Sequence, residues 1–425
     1  PTVRTRFIST SATVGNRQIL PALASSNLNS ASNHFVESQG GEGVLNFQDW
    51  DVTIAGSGNV FTSGTITTIP ENTIYVYPGM NIQAAIDSLP GGGFITILPG
   101  IHEITTPISI TNESIEVVGY GDASVIRATS GFSGATDTTA AIQLGSMDGT
   151  SPVSDVVLKD FELQVGNLSI HGIRAAGGDD LQLHNVTVLK TSGQGGSGAT
   201  ARVGIHFLDG NTDQLVRPVI KNCRVFGIPS ANAYFTDGIH LTGGTDYSFA
   251  GVWMNGAGII NALVEGNNVD YVRETVAVFI GVNDSSLFNN RFSRMGVGGG
   301  NSFGIFMGNS QRVNMTANVV SGSLSTGSYA VGIDSVGPAN PVQFSESVIA
   351  NNTIDGTATG GVGFGTAFQV GVVSGNVQVD RNIFLGNTIT GASNAVTAAF
   401  AIRGEADENN FSNNKFYHFP IPHLS

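Results

Sequence analysis

The chain has 425 residues, of which 57 are glycine, so several domains or a repeat architecture are expected. Its net charge of −14 repels phosphate backbones and anionic membrane surfaces, which argues against nucleic acid as a partner, and no stretch reaches membrane-spanning length, which argues against membrane insertion. A single cysteine excludes an intrachain disulfide, and 40% hydrophobic residues beside 12% charged ones argue against a disordered chain.

The N-terminal part differs in composition from the rest of the chain. Residues 1–78 are rich in Ser and Asn at first and become strand-like over 60–69, so we interpret them as a small β-rich attachment or capping module. Residues 79–425 form the second predicted domain. It begins with a segment between two prolines whose apolar residues recur every three to four positions, which predicts a short capping helix over 81–89.

From about residue 154 a two-part pattern recurs. A strand ending in Asn and an apolar residue, as at 350–354, is followed after a variable loop by a short apolar-Gly-Ile strand, as at 203–205. With the last residue of that short strand as an anchor, the spacing varies from 27 to 39 residues. A propeller or helical repeat would hold its period more tightly, whereas a β-helix tolerates corner loops of any length.

The pattern therefore predicts an all-β fold, a single-stranded right-handed parallel β-helix of about ten to twelve coils that rise by one strand spacing each. The recurrent Asn suits a tight left-handed corner and stacks on the Asn of the next coil, so its role is predicted to be structural.

Three segments near the start of the second domain carry a family resemblance. Residues 81–87, 91–100 and 119–122 resemble the opening of the pectate-lyase-like superfamily, and the resemblance covers about residues 75–417. That superfamily includes pectin-degrading enzymes, epimerases and many bacteriophage tailspikes and appendages. The resemblance implies the β-helix fold with its capping helix, and it is poorly specific for activity.

A degenerate motif of the polygalacturonase type supports this resemblance. Residues 235–238 resemble its first element and 273–278 its second, with Glu274 in place of one carboxylate. The third element, at 302–304, lacks its histidine, and the later Arg-x-Lys has no convincing counterpart. Pectin hydrolysis by that mechanism is therefore not implied.

Two carboxyls are the predicted catalytic residues. Asp237 lies two residues before the anchor Ile239, and Glu274 lies four before the anchor Val278. These offsets predict two carboxyls on neighbouring coils, two residues apart laterally and roughly 8 Å from each other. Such a separation leaves room for a water, as in an inverting glycosidase, where one carboxyl is the general acid and the other the general base.

Other polar and aromatic residues around these coils are predicted to bind substrate. Two histidines directly follow their anchors and should stack as an exposed ladder above an arginine, while aromatic residues on an inserted loop suit the faces of sugars. The predicted substrate-binding residues are Arg174, His206, His240, Tyr247, Trp253 and Arg273. The alternative interpretation is that all these groups, the two carboxyls included, are only the polar wall that a β-helix needs.

No cofactor is predicted, with calcium left open as an alternative. Asp209, Asn211 and Asp213 have the alternate-oxygen spacing of calcium loops, but a turn between coils explains the same spacing.

Our leading hypothesis is a tailspike-like bacteriophage virion appendage. It would attach to other virion proteins through residues 1–78, form a homotrimer, and bind a host cell-surface polysaccharide through the β-helix wall, with cleavage left open. One alternative is a secreted polysaccharide lyase, hydrolase or epimerase; the N-terminus shows no signal peptide, and whether one has been removed stays open. Another is a purely structural virion or surface protein without sugar activity.

Overall fold

The computed structural model describes residues 51–54, 65–68, 72–132, 139–146, 150–166, 168, 170–193, 202–209, 214–242, 258–297, 302–324, 328–333, 342–356, 366–370, 377–390, 398–402 and 407–417. The chain divides into two compact units, residues 1–74 and residues 75–425. The first unit contains two described strands, Asp51–Ile54 and Thr65–Thr68, which pair in parallel. The strand Thr73–Val76 spans the division. The attachment role of residues 1–78 stays a prediction.

The predicted helix is present and spans Ile82–Asp87, called α1 here. It begins after Asn81, whose Oδ1 accepts a hydrogen bond from the N–H of Ala84 at 3.1 Å, the usual arrangement of an N-cap. Its apolar face is buried. Gln83 fixes the helix to the strand Ile108–Ile110, because its amide accepts from the N–H of Ser109 at 2.6 Å and donates to the carbonyl of Ser109 at 2.8 Å.

The second unit is built from parallel sheets that run along its length. In the described residues, sheet A has ten strands: Ile108–Ile110, Ala140–Leu144, His171–Ala176, Val203–Leu208, Asp237–Thr242, Thr275–Ile280, Phe303–Gly308, Tyr329–Ile333, Thr366–Val370 and Ala398–Ile402. Sheet B consists of short strands: Gly178–Asp179, Leu215–Val216, Ile259–Ile260 and Val282–Asn283, with a further pair formed by Val342–Ser345 and Val377–Asp380.

The other two sheets share the long strands Ile115–Ala128 and Val157–Val165. Sheet C contains the first halves of these, with Gly93–Ile97, Gln182–His184, Val219–Lys221, Leu263–Glu265, Ser286–Phe288, Asn314–Thr316, Val348–Ala350, Ile383–Leu385 and Asn410–Ser412. Sheet D contains the second halves, with Gly100–Ile104, Thr187–Lys190, Arg224–Gly227, Asn268–Asp270, Arg291–Met295, Val319–Ser323, Thr353–Asp355, Thr388–Thr390 and Lys415–Tyr417. A short 3₁₀ helix, Pro229–Ala231, follows one strand of sheet D.

Each strand pairs in parallel with its counterpart in the next coil, so the second unit is a parallel β-helix and the predicted fold is confirmed. Its interior is filled by inward apolar side chains such as Ile205, Ile239, Phe292 and Met307, which are at most 1% exposed. This burial is the main force that holds neighbouring coils together. In the described part of the chain, no helix is both long and apolar enough to cross a membrane.

Two adjacent residues share the work at the corner between sheets C and D. The first adopts the left-handed conformation, as Asn289 does with φ 56°. The second is a buried Asn whose amide binds the next coil: Asn290 Nδ2 donates to Asn318 Oδ1 at 2.9 Å and to the carbonyl of Val264 at 2.9 Å. The same bonding runs through Asn267, Asn290, Asn318, Asn352, Asn387 and Asn414. The predicted Asn ladder is therefore present, but the corner and the ladder belong to different residues.

The pairing register corrects the predicted anchors. Ile239 pairs with Ala277 and not with Val278, and Ile305 pairs with Val331 and not with Ile333. The prediction aligned the small residue of each short strand with glycine, whereas pairing is decided by backbone hydrogen bonds and packing. Glu274 therefore lies one residue to the side of the position that pairs with Asp237, and the predicted offset of two residues is wrong.

Candidate functional site

The first residue of each strand of sheet A forms a column that runs along the solenoid, called the entry column here. Gly238 and Gly304 point into the tube, because a Cβ on them would lie 2.3 Å from Cγ1 of the core residues Val269 and Val320. Phe303, just before Gly304, is partly exposed, and Asp237 occupies the equivalent position two coils earlier. Through the register the column contains, in order along the axis, His171, Val203, Asp237, Thr275, Phe303 and Tyr329.

Asp237 is fixed within the wall. Its side chain is 4% exposed, and its Oδ1 accepts a hydrogen bond from the N–H of Thr275 in the next coil at 2.7 Å. His171, two coils earlier in the column, makes the equivalent bond: its Nδ1 accepts from the N–H of Val203 in the next coil at 3.1 Å. Asp237 thus has a structural role in stacking the coils, whatever chemistry it takes part in.

Glu274 lies directly beside this carboxyl and is more accessible. Its backbone N–H donates to the carbonyl of Thr236 at 2.8 Å, which aligns it with the residue before Asp237, and its side chain is 25% exposed. Burial, and second the negative charge of Asp237, raise the pKa of Glu274 to about 7, against a lowering by Arg273. The Nε of Arg273 lies 3.8 Å from Oε1 of Glu274. The two predicted catalytic carboxyls are therefore electrostatically coupled, and Glu274 titrates near neutral pH.

The arginine and two histidines that were predicted to stack lie on strands of sheet A. Arg174, His206 and His240 pair in register on three successive strands, in the predicted order. His206 is 6% exposed, however, and its ring centroid lies 5.3 Å from that of His171, so the prediction of an exposed histidine ladder is wrong at this residue. The neighbouring ring in the entry column covers it. Burial also lowers the pKa of Arg174.

Several predicted residues fall outside the described residues. These are Tyr247, Trp253, Asn211 and Asp213, together with the side chain of His240. Asp209 is described, is 3% exposed, and accepts the N–H of Gly258 on its Oδ2 at 3.0 Å, so it anchors the chain where the next coil resumes. In the described part of the chain no group of three or more His, Cys, Asp or Glu side chains is arranged to hold a metal ion.

Two further features of the structure were not predicted. The first is a buried cation, Lys190, whose Nζ donates to the carbonyl of Leu168 at 2.6 Å and lies 5.8 Å from the ring of Phe235. Burial, and second the charge of Arg202, lower the pKa of Lys190 to about 8. Nothing in the sequence around Lys190 distinguishes it from an ordinary strand residue.

The second unpredicted feature is a cluster of aromatic rings beyond Thr275, called the aromatic platform here and formed by Phe303, Phe306 and Tyr329. The rings of Phe303 and Tyr329 stack with centroids 5.1 Å apart and an angle of 18° between their planes, and the ring of Phe306 meets that of Phe303 edge-on at 5.0 Å. All three side chains are partly exposed. The sequence did hold a signal, because Phe303 precedes Gly304 as Asp237 precedes Gly238.

No protein-family model matches the chain, and no curated protein matches its sequence. Solved structures do. DFA-IIIase from Arthrobacter chlorophenolicus A6 in complex with GF2 has a TM-score of 0.53 at 13% identity, covering 78% of this chain and 82% of that one. The tailspike protein of E. coli bacteriophage HK620 in complex with a pentasaccharide has a TM-score of 0.48 at 14% identity, over 81% of this chain and 65% of that one.

A third similar structure is the A-module of the mannuronan C-5 epimerase AlgE6 from Azotobacter vinelandii, with a TM-score of 0.39 at 15% identity, over 79% of this chain and 94% of that one. At identities this low, similarity shows the fold alone. The chain has the parallel β-helix fold that the sequence resemblance implied.

Proposed function

We propose that the outer face of sheet A binds a polysaccharide of a host cell surface and that Glu274 acts as an acid in cleaving it. The observation that carries this proposal is the position of Glu274 on the outer wall, partly exposed and beside the fixed charge of Asp237, with its pKa raised to about 7. A group that titrates near the working pH is the most effective proton donor or acceptor. Two coupled carboxyls in different environments are the usual means of keeping one protonated.

The proposed reaction is hydrolysis of a glycosidic bond. The bond between the anomeric carbon and the glycosidic oxygen breaks, the proton of Glu274 passes to that oxygen, and a water adds its hydroxyl group to the anomeric carbon. The remaining proton of the water passes to Asp237, the other predicted catalytic carboxyl, which would act as the base. Arg273, beside Glu274, is placed to orient hydroxyl or carboxylate groups of the sugar.

In its wider setting, we propose a tailspike-like appendage of a bacteriophage virion, acting outside the host cell. Residues 1–78 would attach it to other virion proteins, and the second unit would present its wall to the glycan as a homotrimer. The sequence resemblance over residues 75–417 and the β-helix itself support this assignment. Light scattering of the purified chain tests the assembly: a trimer has three times the chain mass of 44.0 kDa, and a species of 44.0 kDa would contradict it.

A substitution that removes only the proton of Glu274 tests the chemistry. Wild type, Glu274→Gln and the control Glu265→Gln are incubated with capsular and O-antigen polysaccharides, and new reducing ends are counted. Glu265 lies on sheet C, where it pairs with Lys221, so its substitution makes the same change of charge away from the site. We expect Glu274→Gln to lose about 10²–10⁴-fold in rate with unchanged binding, and Glu265→Gln to retain activity.

A second candidate, a structural protein without sugar activity, is favoured by one observation. Asp237, His171 and Thr236 each use a side chain to bind a backbone N–H of a neighbouring coil, which is what a polar wall needs for stacking alone. If wild type binds none of the polysaccharides and releases no reducing ends, this candidate replaces the proposal. If Glu274→Gln cleaves as fast as wild type, Glu274 is not the acid.

A further inference from the structure

The aromatic platform lies on the same face as Glu274 and continues it along the solenoid axis. Phe303 pairs with Thr275, the residue after Glu274, and Tyr329 pairs with Phe303. Successive coils rise by about 4.8 Å, so Tyr329 lies about 10 Å along the axis from Thr275. The two carboxyls and the two stacked rings therefore lie on one side of the β-helix. Asp237, Phe303 and Tyr329 belong to the entry column, and Glu274 adjoins it.

The rings are held in place by backbone close beneath them. A Cβ at Gly332 would lie 2.5 Å from Cδ1 and Cε1 of Phe303, so glycine at this position lets the Phe303 ring lie flat against the strand. Gly332 does not have a positive φ, so its lack of a side chain serves this contact and no special backbone conformation. Tyr329 then stacks on the fixed ring.

The platform is a small apolar area. Thr275 precedes it in the entry column and Thr366 follows it, and both are buried. Ser302 and Ser328, which adjoin Phe303 and Tyr329 in the chain, are fully buried and bond to each other, so the partly exposed rings are what the platform presents to solvent. A small area of aromatic rings suits a sugar ring, which presents an apolar C–H face. A protein partner would need a much larger continuous area.

We propose that the aromatic platform is a sugar-stacking subsite, so that the glycan chain lies along the solenoid axis, with one sugar on Phe303 and Tyr329 and the scissile bond near Glu274. This inference rests on the proposed function and names the direction and the second contact point of the ligand. The platform residues are binding residues and take no part in the proton transfer.

The test uses the full chain carrying Glu274→Gln, which prevents cleavage, and biolayer interferometry on whichever immobilised capsular or O-antigen polysaccharide the wild type cleaves. Phe303→Ala and Tyr329→Ala each remove a ring, and Gly332→Ala displaces the Phe303 ring without removing it. The matched controls are Phe94→Ala and Tyr120→Ala, whose rings are 38% and 55% exposed and lie on strands of sheet C. Thermal unfolding shows that each variant is folded.

We expect Phe303→Ala and Tyr329→Ala to weaken binding about tenfold, Gly332→Ala to weaken it as well, and both controls to stay within about twofold of the parent. In a chain with Glu274 intact, the platform variants should raise KM and leave kcat unchanged. If folded platform variants bind as tightly as the parent while Glu274→Gln still abolishes cleavage, the subsite is wrong and the proposed function stands. If no polysaccharide binds to or is cleaved by the wild type, both fall.

Discussion

The corner between sheets C and D and the entry column of sheet A each recur once per coil, but their side chains differ in kind. At the corner five successive coils, from Asn267 to Asn387, have the same residue, a buried Asn with the same hydrogen bonds. In the entry column every coil has a different one, from His171 through Asp237 to Tyr329. A backbone requirement that recurs demands one residue type, whereas a surface that meets a ligand needs a different group at each place. The uniform column therefore indicates a structural role, and the varied column is where we propose the site.

The largest effect is expected where the uniform column is broken. Asn290→Ala removes the acceptor of the Asn267 N–H and amide and the donor to the carbonyl of Val264, all of them buried. Each buried polar group left without a partner costs about 1–3 kcal/mol, so the free energy of unfolding should fall by roughly 3–5 kcal/mol. Thermal and urea unfolding measure this.

The neighbouring residue is a matched control for this prediction. Asn289 is exposed and has a φ of 56°, which glycine adopts without strain, so Asn289→Gly removes an amide but no ladder bond and should cost far less. Equal losses in the two variants would contradict the division of labour between corner and ladder.

A smaller effect is expected at the entry column, where the free energy of unfolding should depend on pH through Glu274. Because the pKa of Glu274 is raised from 4.5 to about 7, the folded chain binds more protons than the unfolded chain between these values, and stability falls as pH rises through this range. Glu274→Gln should remove this pH-dependent loss of stability. We expect the loss in wild type to be on the order of 1 kcal/mol, because the side chain keeps contact with solvent and its electrostatic interactions are screened.

Unfolding midpoints at pH 5 and pH 8 measure this dependence, and Glu265→Gln is the control. Asp237→Asn tests whether the two carboxyls interact. The amide keeps an oxygen that accepts from the N–H of Thr275 but loses the charge that raises the pKa of Glu274, so the fall of stability with pH should move to lower pH. A transition unchanged in Asp237→Asn would show that the carboxyls are not coupled.

The smallest effect is expected next to the end of the Asn ladder, where the coil before Asn267 has a cysteine at the same position. Cys223 is fully buried at a ladder position, its N–H donates to Asn267 Oδ1 at 2.8 Å, and its Sγ donates to the carbonyl of Lys221 at 3.4 Å. Cys223→Asn should extend the ladder by one rung and raise the free energy of unfolding by up to roughly 0.5 kcal/mol. A loss of more than about 2 kcal/mol in urea unfolding would show that the ladder cannot be extended there.

Much of the site was visible in the sequence and part of it was not. Asp237 and Glu274 were predicted because they lie in segments that resemble a polygalacturonase-type motif and because their offsets to the anchors place them on neighbouring coils. The order of Arg174, His206 and His240 followed from their equal offsets to the anchors. The aromatic platform was missed because Phe303 and Tyr329 look like core residues until the direction of their side chains is known. Lys190 was missed because only packing buries it.

The sequence by itself determined the repeated strands, the Asn corners and the helix at Ile82–Asp87, because these depend on local conformation and on the alternation of apolar residues. Only the tertiary structure decided that Ile239 pairs with Ala277 and that Glu274 therefore lies beside Asp237. The physical reason is that the loops between anchors vary in length, so the register is set by hydrogen bonds and packing between coils, and these do not appear in the spacing of residues along the chain.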